Sequence, residues 1–91
     1  MRTLRDKGNK ARIFSRIDRL RLGLFGDCKA VGEGVSELRI HVGPGFRVYF
    51  GLVGTTVVLL LCGGDKSSQA CDIAQAIRYW KEYQSHANEE L

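Results

Sequence analysis

One stretch carries the clearest structural pattern in the chain: VSELRIHVGPGFRVYFGL, residues 35–52. Apolar and polar residues alternate on both sides of Gly43-Pro44-Gly45, where proline presets φ and glycine accepts positive φ. The apolar positions are Leu38, Ile40, Val42, Phe46, Val48, Phe50 and Leu52. This period of two predicts a β-hairpin with strands Val35–Val42 and Phe46–Leu52.

The loop length predicts the register of this hairpin. A three-residue loop sets apolar partners side by side: Val42 with Phe46, Ile40 with Val48, and Leu38 with Phe50. On the polar face it places His41 opposite Arg47 and Arg39 opposite Tyr49, with Cβ atoms about 5 Å apart. A solvated face would carry lysine, threonine or glutamate as readily, so this convergence favours a functional patch.

The residues before the hairpin predict a basic amphipathic helix over Ala11–Leu24, with Asn9 as N-cap and Gly23 or Gly26 as its end. Its apolar stripe consists of Ile13, Ile17, Leu20 and Leu24. The side away from the stripe carries Arg12, Arg16 and Arg19. We expect these arginines to bind a phosphate backbone rather than read bases; the alternative is a solvated helix face.

Further elements surround the hairpin. A short strand is predicted at Cys28–Val31. The run Thr55–Cys62 shows no alternation, which predicts a strand buried on both faces and central in the sheet. A helix is expected over Ser68–Gln84, with a frayed tail at Ser85–Leu91. Together these elements predict one α+β domain over residues 1–91, a small antiparallel sheet with an N-terminal and a C-terminal helix.

Composition narrows the choice of partner. The chain has 91 residues, 14 Lys and Arg against 10 Asp and Glu, and a net charge of +4. No apolar run reaches the roughly 18 residues of a membrane span, so we expect no segment that crosses a membrane. The basic excess, concentrated in residues 1–29, indicates nucleic acid, anionic lipid or an acidic protein as partner.

The cysteines and histidines show no metal-binding spacing. Cys28, Cys62 and Cys71 form no C-x-x-C pair, and His41 and His86 lie far apart in the sequence. We therefore predict no metal, no cofactor and free thiols, which fits a reducing cytoplasm. The loop before the last helix offers a weak anion site, since helix N–H groups and Lys66 meet there; the alternative is a solvated lysine.

Four segments together resemble the phage-derived, HigB-like addiction module killer toxins of the RelE/ParE superfamily. They are FGD (25–27), VGEGVSELRI (31–40), GPGFRVYF (43–50) and LLCGGDKSSQ (60–69). The resemblance runs from about Leu4 to Ala76. It implies a helix-plus-antiparallel-sheet fold and a type II toxin. Many such toxins are endoribonucleases that cut mRNA in the ribosomal A site, and a helix-turn-helix (HigA-like) antitoxin neutralises them.

The resemblance also assigns residues. Arg39 and Arg47 match basic hairpin residues of the nuclease members, Lys66 falls where those members carry a basic residue, and Gln69 belongs to the same loop motif. In metal-independent cleavage these cations would bind the phosphate. Tyr49 could stack on a base.

Two departures from the family affect these assignments. The family normally has a strand and most of a helix ahead of the equivalent of Leu4, so an unpaired strand edge is expected. The family's candidate catalytic tyrosine would fall near Asp72, and Tyr79 and Tyr83 come too late to match. His41 or Asp72 is therefore the candidate for proton transfer.

Three functions remain open at this point. A ribosome-dependent mRNA endoribonuclease is favoured, since the basic hairpin residues match that branch. The alternatives are a ParE-like inhibitor of DNA gyrase and a catalytically inactive remnant that binds only its antitoxin.

Overall fold

The computed structural model describes residues 7–41, 43, 45–64 and 66–89. The elements are helix α1 (Lys7–Arg21), strands β1 (Cys28–Gly32), β2 (Val35–Ile40), β3 (Phe46–Val53) and β4 (Thr56–Gly63), a 3₁₀ turn (Lys66–Ser68) and helix α2 (Gln69–Glu89). The strands form one antiparallel sheet in the order β1-β2-β3-β4. The predicted α+β class, an antiparallel sheet with one helix before it and one after it, is confirmed.

Two apolar clusters hold the helices to opposite faces of the sheet. The α1 cluster contains Ile13, Leu20, Leu38, Ile40, Phe46, Val48 and Phe50. The α2 cluster contains Val35, Tyr49, Ala76 and Trp80. The apolar face predicted for the hairpin is therefore the α1 face. Leu52 is exposed at the far end of β3, and Val42 lies outside the described residues.

The hairpin register differs from the prediction by two residues. Arg39 lies directly opposite Arg47, where the prediction placed Tyr49. The reason is that β2 ends at Ile40, so a connection longer than Gly-Pro-Gly joins the strands. Because a shift by two keeps every side chain on its face, the core alternation survives. On the polar face, however, Glu37 becomes the partner of Tyr49.

Helix α1 begins and ends earlier than predicted. It spans Lys7–Arg21, so Asn9 lies within the helix instead of capping it. Its end is set at Gly23, one of the two predicted ends, with φ of +82°. The N–H of Leu24 donates to the carbonyl oxygen of Arg19 at 2.9 Å, which closes a Schellman-type turn. This turn removes Leu24 from the apolar stripe and exposes its side chain.

Helix α2 is longer than predicted. It spans Gln69–Glu89 instead of Ser68–Gln84, so most of the predicted frayed tail, Ser85–Leu91, is helical. Within this helix the rings of Trp80 and Tyr83 stack, with centroids 5.6 Å apart and an interplanar angle of 6°. Residues 90 and 91 are outside the described range. Neither described helix is long and apolar enough to cross a membrane.

The prediction of a central strand at Thr55–Cys62 is wrong. Strand β4 spans Thr56–Gly63 and, among the described residues, pairs with β3 alone at the edge of the sheet. Its uninterrupted apolar run has another cause, because helices cover both faces of the sheet. Val57 packs toward the α1 cluster and Leu61 toward the α2 cluster. Leu59 remains half exposed.

A close approach between α2 and β3 fixes the position of that helix. Trp80 is 4% exposed, and its indole lies directly against Gly51. A Cβ atom added at Gly51 would lie 2.5 Å from a ring carbon of Trp80. Glycine at this position therefore lets the helix approach the sheet.

We expect Gly51→Ala to lower the free energy of unfolding by about 1–3 kcal/mol, because the added methyl group overpacks the Trp80 contact. Urea titration followed by the fluorescence of Trp80, the single tryptophan, measures this change directly. Gly64→Ala is the matched control, since its Cβ would meet no atom closer than 3.9 Å. Equal midpoints for the two variants would contradict this account of the packing.

Candidate anion-binding cleft

A cleft of about 380 Å³ opens at one end of the sheet, where β2 and β4 end and β3 begins. Its lining contains the side chains of Arg39, Ile40, His41, Phe46, Arg47 and Lys66. Four residues that the sequence singled out are thus brought together: two strand arginines, a loop histidine and the lysine of the 3₁₀ turn. Of the predicted patch, Arg39, His41 and Arg47 line this cleft, whereas Tyr49 does not.

A buried carboxylate organises the two arginines. Arg39 and Arg47 are direct cross-strand partners, and like charges in that position repel. Glu37, which is 0% exposed, lies beside both. The Nε of Arg39 donates to its Oε1 at 3.2 Å, and the Nε of Arg47 lies 3.9 Å from its Oε2. The carboxylate therefore offsets the repulsion and fixes where the guanidinium groups lie.

Two neutral donors complete the surroundings of Glu37. The hydroxyl of Tyr49 donates to Oε2 at 3.1 Å, and the side-chain amide of Gln69 donates to the same oxygen at 2.7 Å. Gln69 is the first residue of α2, so this bond joins the helix start to the sheet. Sequence reasoning missed Glu37; the available signal was an acidic residue two positions from Arg39 on the same strand face.

The role predicted for Tyr49 is wrong. Its side chain is fully buried under α2 and cannot stack on a base. Burial, followed by the hydrogen bond and charge of Glu37, raises the pKa of Tyr49 well above its ordinary value. The hydroxyl therefore keeps its proton near neutral pH and donates it in the hydrogen bond to the carboxylate.

His41 has a different partner from the one predicted. It lies beyond the end of β2 instead of opposite Arg47, and its Nε2 is 2.7 Å from Oδ2 of Asp27. The hydrogen bond from His41, and then the charge of Arg39, lower the pKa of Asp27. Such a carboxylate orients the imidazole and leaves Nδ1 as the nitrogen that can face a ligand. The fourteen residues between the partners hid this pair from sequence reasoning.

Asp72 and Gln69 do not reach the cleft. An oxygen of the Asp72 carboxylate accepts a hydrogen bond from Ser68 Oγ at 2.9 Å. The same carboxylate lies over Gly63, where it leaves no room for a side chain. Asp72 therefore stabilises the first turn of α2, and its predicted catalytic role has no support in this geometry. Gln69 acts through Glu37 instead of lining the cleft.

The arginines of α1 form a second basic surface beside the cleft. A shallow depression of about 200 Å³ is lined by Arg12, Ser15, Arg16, Arg19 and Ile40. Ile40 also lines the cleft, so the two basic surfaces adjoin at the end of β2. Arg16 is half-buried, and its guanidinium occupies the space that a side chain at Gly26 would need.

The side chains that could bind a metal, and the cysteine thiols, are dispersed over the described part of the chain. Among the described residues, no three His, Cys, Asp or Glu side chains gather into a possible metal site. Cys28, Cys62 and Cys71 are all described and form no disulfide. Cys28 Sγ donates to the carbonyl oxygen of Phe25 at 2.9 Å. Burial raises the pKa of the Cys28 and Cys62 thiols.

The raised pKa of Tyr49 predicts a specific loss of stability at high pH. A phenol that ionises less readily in the folded state contributes stability below the unfolded value, near 10, and loses it as the pH rises. At pH 7 we expect Tyr49→Phe to lower the free energy of unfolding by about 1.5–3 kcal/mol, the range for a hydrogen bond to a charged group. Urea titrations at pH 7 and above pH 10 should show this difference shrinking. A constant difference would contradict the assignment.

The chain is similar to an uncharacterized protein of Haemophilus influenzae. The two are 55% identical over 67 residues, which cover 74% of this chain and 68% of that protein. No protein-family model matches the chain, and no solved structure matches it. The shared residues extend over most of both chains. The chain therefore belongs to the same protein family as this Haemophilus influenzae protein.

Proposed function

We propose that the protein is the toxin of a type II toxin–antitoxin module and acts in the cytoplasm as a metal-independent endoribonuclease on ribosome-bound mRNA. The observation that carries the proposal is the cleft in which Arg39, Arg47, Lys66 and His41 meet. Three permanent cations suit a phosphate, and an imidazole beside them suits proton transfer. The resemblance of the same segments to HigB-like toxins supports the same class.

The arginines are suited to binding a phosphate in a fixed orientation. Their Nε atoms face Glu37, so the Nη groups are the donors that a phosphate in the cleft would meet. A guanidinium fork matches two phosphate oxygens at once. Donors that are already oriented stabilise the charge that develops on the phosphate without reorganisation.

The chemistry needs two proton movements. The 2′-oxygen of a ribose forms a bond to the adjacent phosphorus, and the bond from that phosphorus to the 5′-oxygen breaks. In our proposal His41 accepts the 2′-hydroxyl proton at Nδ1, while Asp27 holds Nε2. The 5′-oxygen takes a proton from a solvent water as it leaves, and the imidazolium of His41 then returns its proton to the solvent. The expected ends are a 2′,3′-cyclic phosphate and a 5′-hydroxyl.

The basic surface of α1 gives the substrate a longer path. A strand whose scissile phosphate lies in the cleft would pass Ile40 and then reach the arginines of α1. These contacts go to the backbone and carry no sequence preference. The same surface would attract an acidic segment of the cognate helix-turn-helix antitoxin, which we expect to cover it.

Arg47→Ala should reduce cleavage of A-site mRNA by about a hundredfold, because one charge-assisted contact to the transition state is worth about 3 kcal/mol. Single-turnover cleavage on programmed ribosomes measures this rate. Lys66→Ala should lose less, since a lysine acts as a mobile point charge. Arg78→Ala is the matched control, an exposed arginine on α2 with the same change in charge.

Circular dichroism and urea unfolding keep folding separate from activity in these variants. Cleavage by Arg47→Ala at the wild-type rate would contradict the proposed site. A wild-type protein that cuts no mRNA but inhibits DNA gyrase would replace the proposed function with the gyrase alternative.

The α1 surface can be tested through its salt dependence. Replacing Arg12, Arg16 and Arg19 with Gln should weaken ribosome association, and the slope of log K against log salt should fall by about 2. The control replaces Arg21, Arg78 and Lys81, which removes equal charge from outside this surface. Unchanged association at every salt concentration would mean that the arginines are only solvated.

A further inference from the structure

We infer that Glu37 is the positioning residue of the cleft: it orients Arg39 and Arg47 toward a phosphate and never contacts the substrate. The inference rests on the proposed function and deepens it. The carboxylate is 0% exposed, while the side chains of its arginine partners are 38% and 19% exposed. The acid is thus enclosed, and the cations extend from it toward the ligand.

The contacts of Glu37 exclude a role in proton transfer. Tyr49 and Gln69 donate to Oε2, and Arg39 donates to Oε1. Both oxygens of the carboxylate thus accept hydrogen bonds from the protein itself. A group that must take up a substrate proton needs access and an open lone pair near the ligand, whereas Glu37 is enclosed by these donors.

The neutral partners of Glu37 explain how one carboxylate can serve two cations. Tyr49 and Gln69 hold the carboxylate in place without cancelling its charge. That charge is left for the arginines, which face each other across the strands. Without it, two guanidinium groups would repel and turn away from a common target.

The two arginines are held unequally. Arg39 has a direct bond to Oε1 at 3.2 Å. The buried Nε of Arg47 has no hydrogen-bond partner among the described residues and lies 3.9 Å from the occupied Oε2. Glu37 therefore holds Arg39 by a direct hydrogen bond, whereas it holds Arg47 by the attraction between opposite charges.

The test compares Glu37→Gln with Glu33→Gln, which makes the same change at an exposed glutamate paired with Lys81 at 3.0 Å. In Glu37→Gln we expect the single-turnover rate on ribosome-bound mRNA to fall about a hundredfold, as for a misplaced catalytic group. Affinity for an uncleavable 2′-deoxy analogue of that mRNA should stay the same or tighten, since a negative charge is lost. Glu33→Gln should keep both values.

Measuring the rate and the affinity separately distinguishes a loss of arginine positioning from a loss of folded protein. A variant that is merely less folded loses rate and affinity together, in proportion to its folded fraction from urea unfolding. Parallel losses of that kind, or an unchanged rate, would overturn the inference. Glu37→Asp keeps the charge on a shorter side chain and should recover part of the rate.

A spectroscopic measurement keeps the inference testable without cleavage. In the ¹⁵N NMR spectrum, the Nε proton of Arg39 should exchange slowly with water in the wild type and in Glu33→Gln. It should exchange rapidly in Glu37→Gln. If the wild type cuts no mRNA, this result still supports the positioning role, and only the nuclease proposal fails. Equal exchange in all three proteins would overturn the positioning role itself.

Discussion

The buried carboxylate of Glu37 constrains the polar end of the sheet and the start of α2. Removing a carboxylate from water costs several kcal/mol, so Glu37 can be buried only where cations and donors surround it. Arg39 supplies one bond from the same strand, Tyr49 one from the next, and Gln69 one from α2. The strand register and the docking of α2 therefore both serve the same ion cluster.

The two faces of the sheet carry different kinds of residue. On its α1 face, the apolar residues of β2 and β3 form a continuous cluster with Ile13 and Leu20. Its α2 face changes character along its length, with Trp80 and Ala76 over one part and charged groups at the end near the start of α2. Because Arg39 and Arg47 lie on the face opposite the α1 cluster, we expect substitutions of these two arginines to leave that cluster intact.

For the described residues of β2 and β3, the sequence predicted which face of the sheet each one occupies, because the period of two has only two possible phases. The register that it predicted was wrong by two residues, since a shift by two preserves the phase and matches apolar partners equally well. Only the early end of β2 distinguishes the two registers, and that end coincides with the contact between His41 and Asp27. An interaction between residues so far apart in the chain leaves no local signal.

Other misses have similar physical causes. The apolar run in β4 indicated burial on both faces, and helices can provide that burial at an edge as well as strands can in the centre. In the sequence, Glu37 cannot be distinguished from a glutamate that lies in solvent. Only the tertiary structure shows that its carboxylate holds the two arginines. The basic residues of the site were easier to predict than Glu37, because positive charges at alternate strand positions can be recognised in the sequence itself.

The cleft contains two kinds of side chain, those held on paired strands and those outside the strands, and under the proposed function they have different tasks. Arg39 and Arg47 stand on paired strands and share a buried counter-ion, so their positions are set before a ligand arrives. His41 and Lys66 stand outside the strands, and the side chain of His41 is 72% exposed. Fixed donors stabilise charge best, whereas proton transfer needs only an aligned approach. A substrate already oriented by a larger assembly such as the ribosome would supply that alignment, so the protein itself needs to fix only its cations.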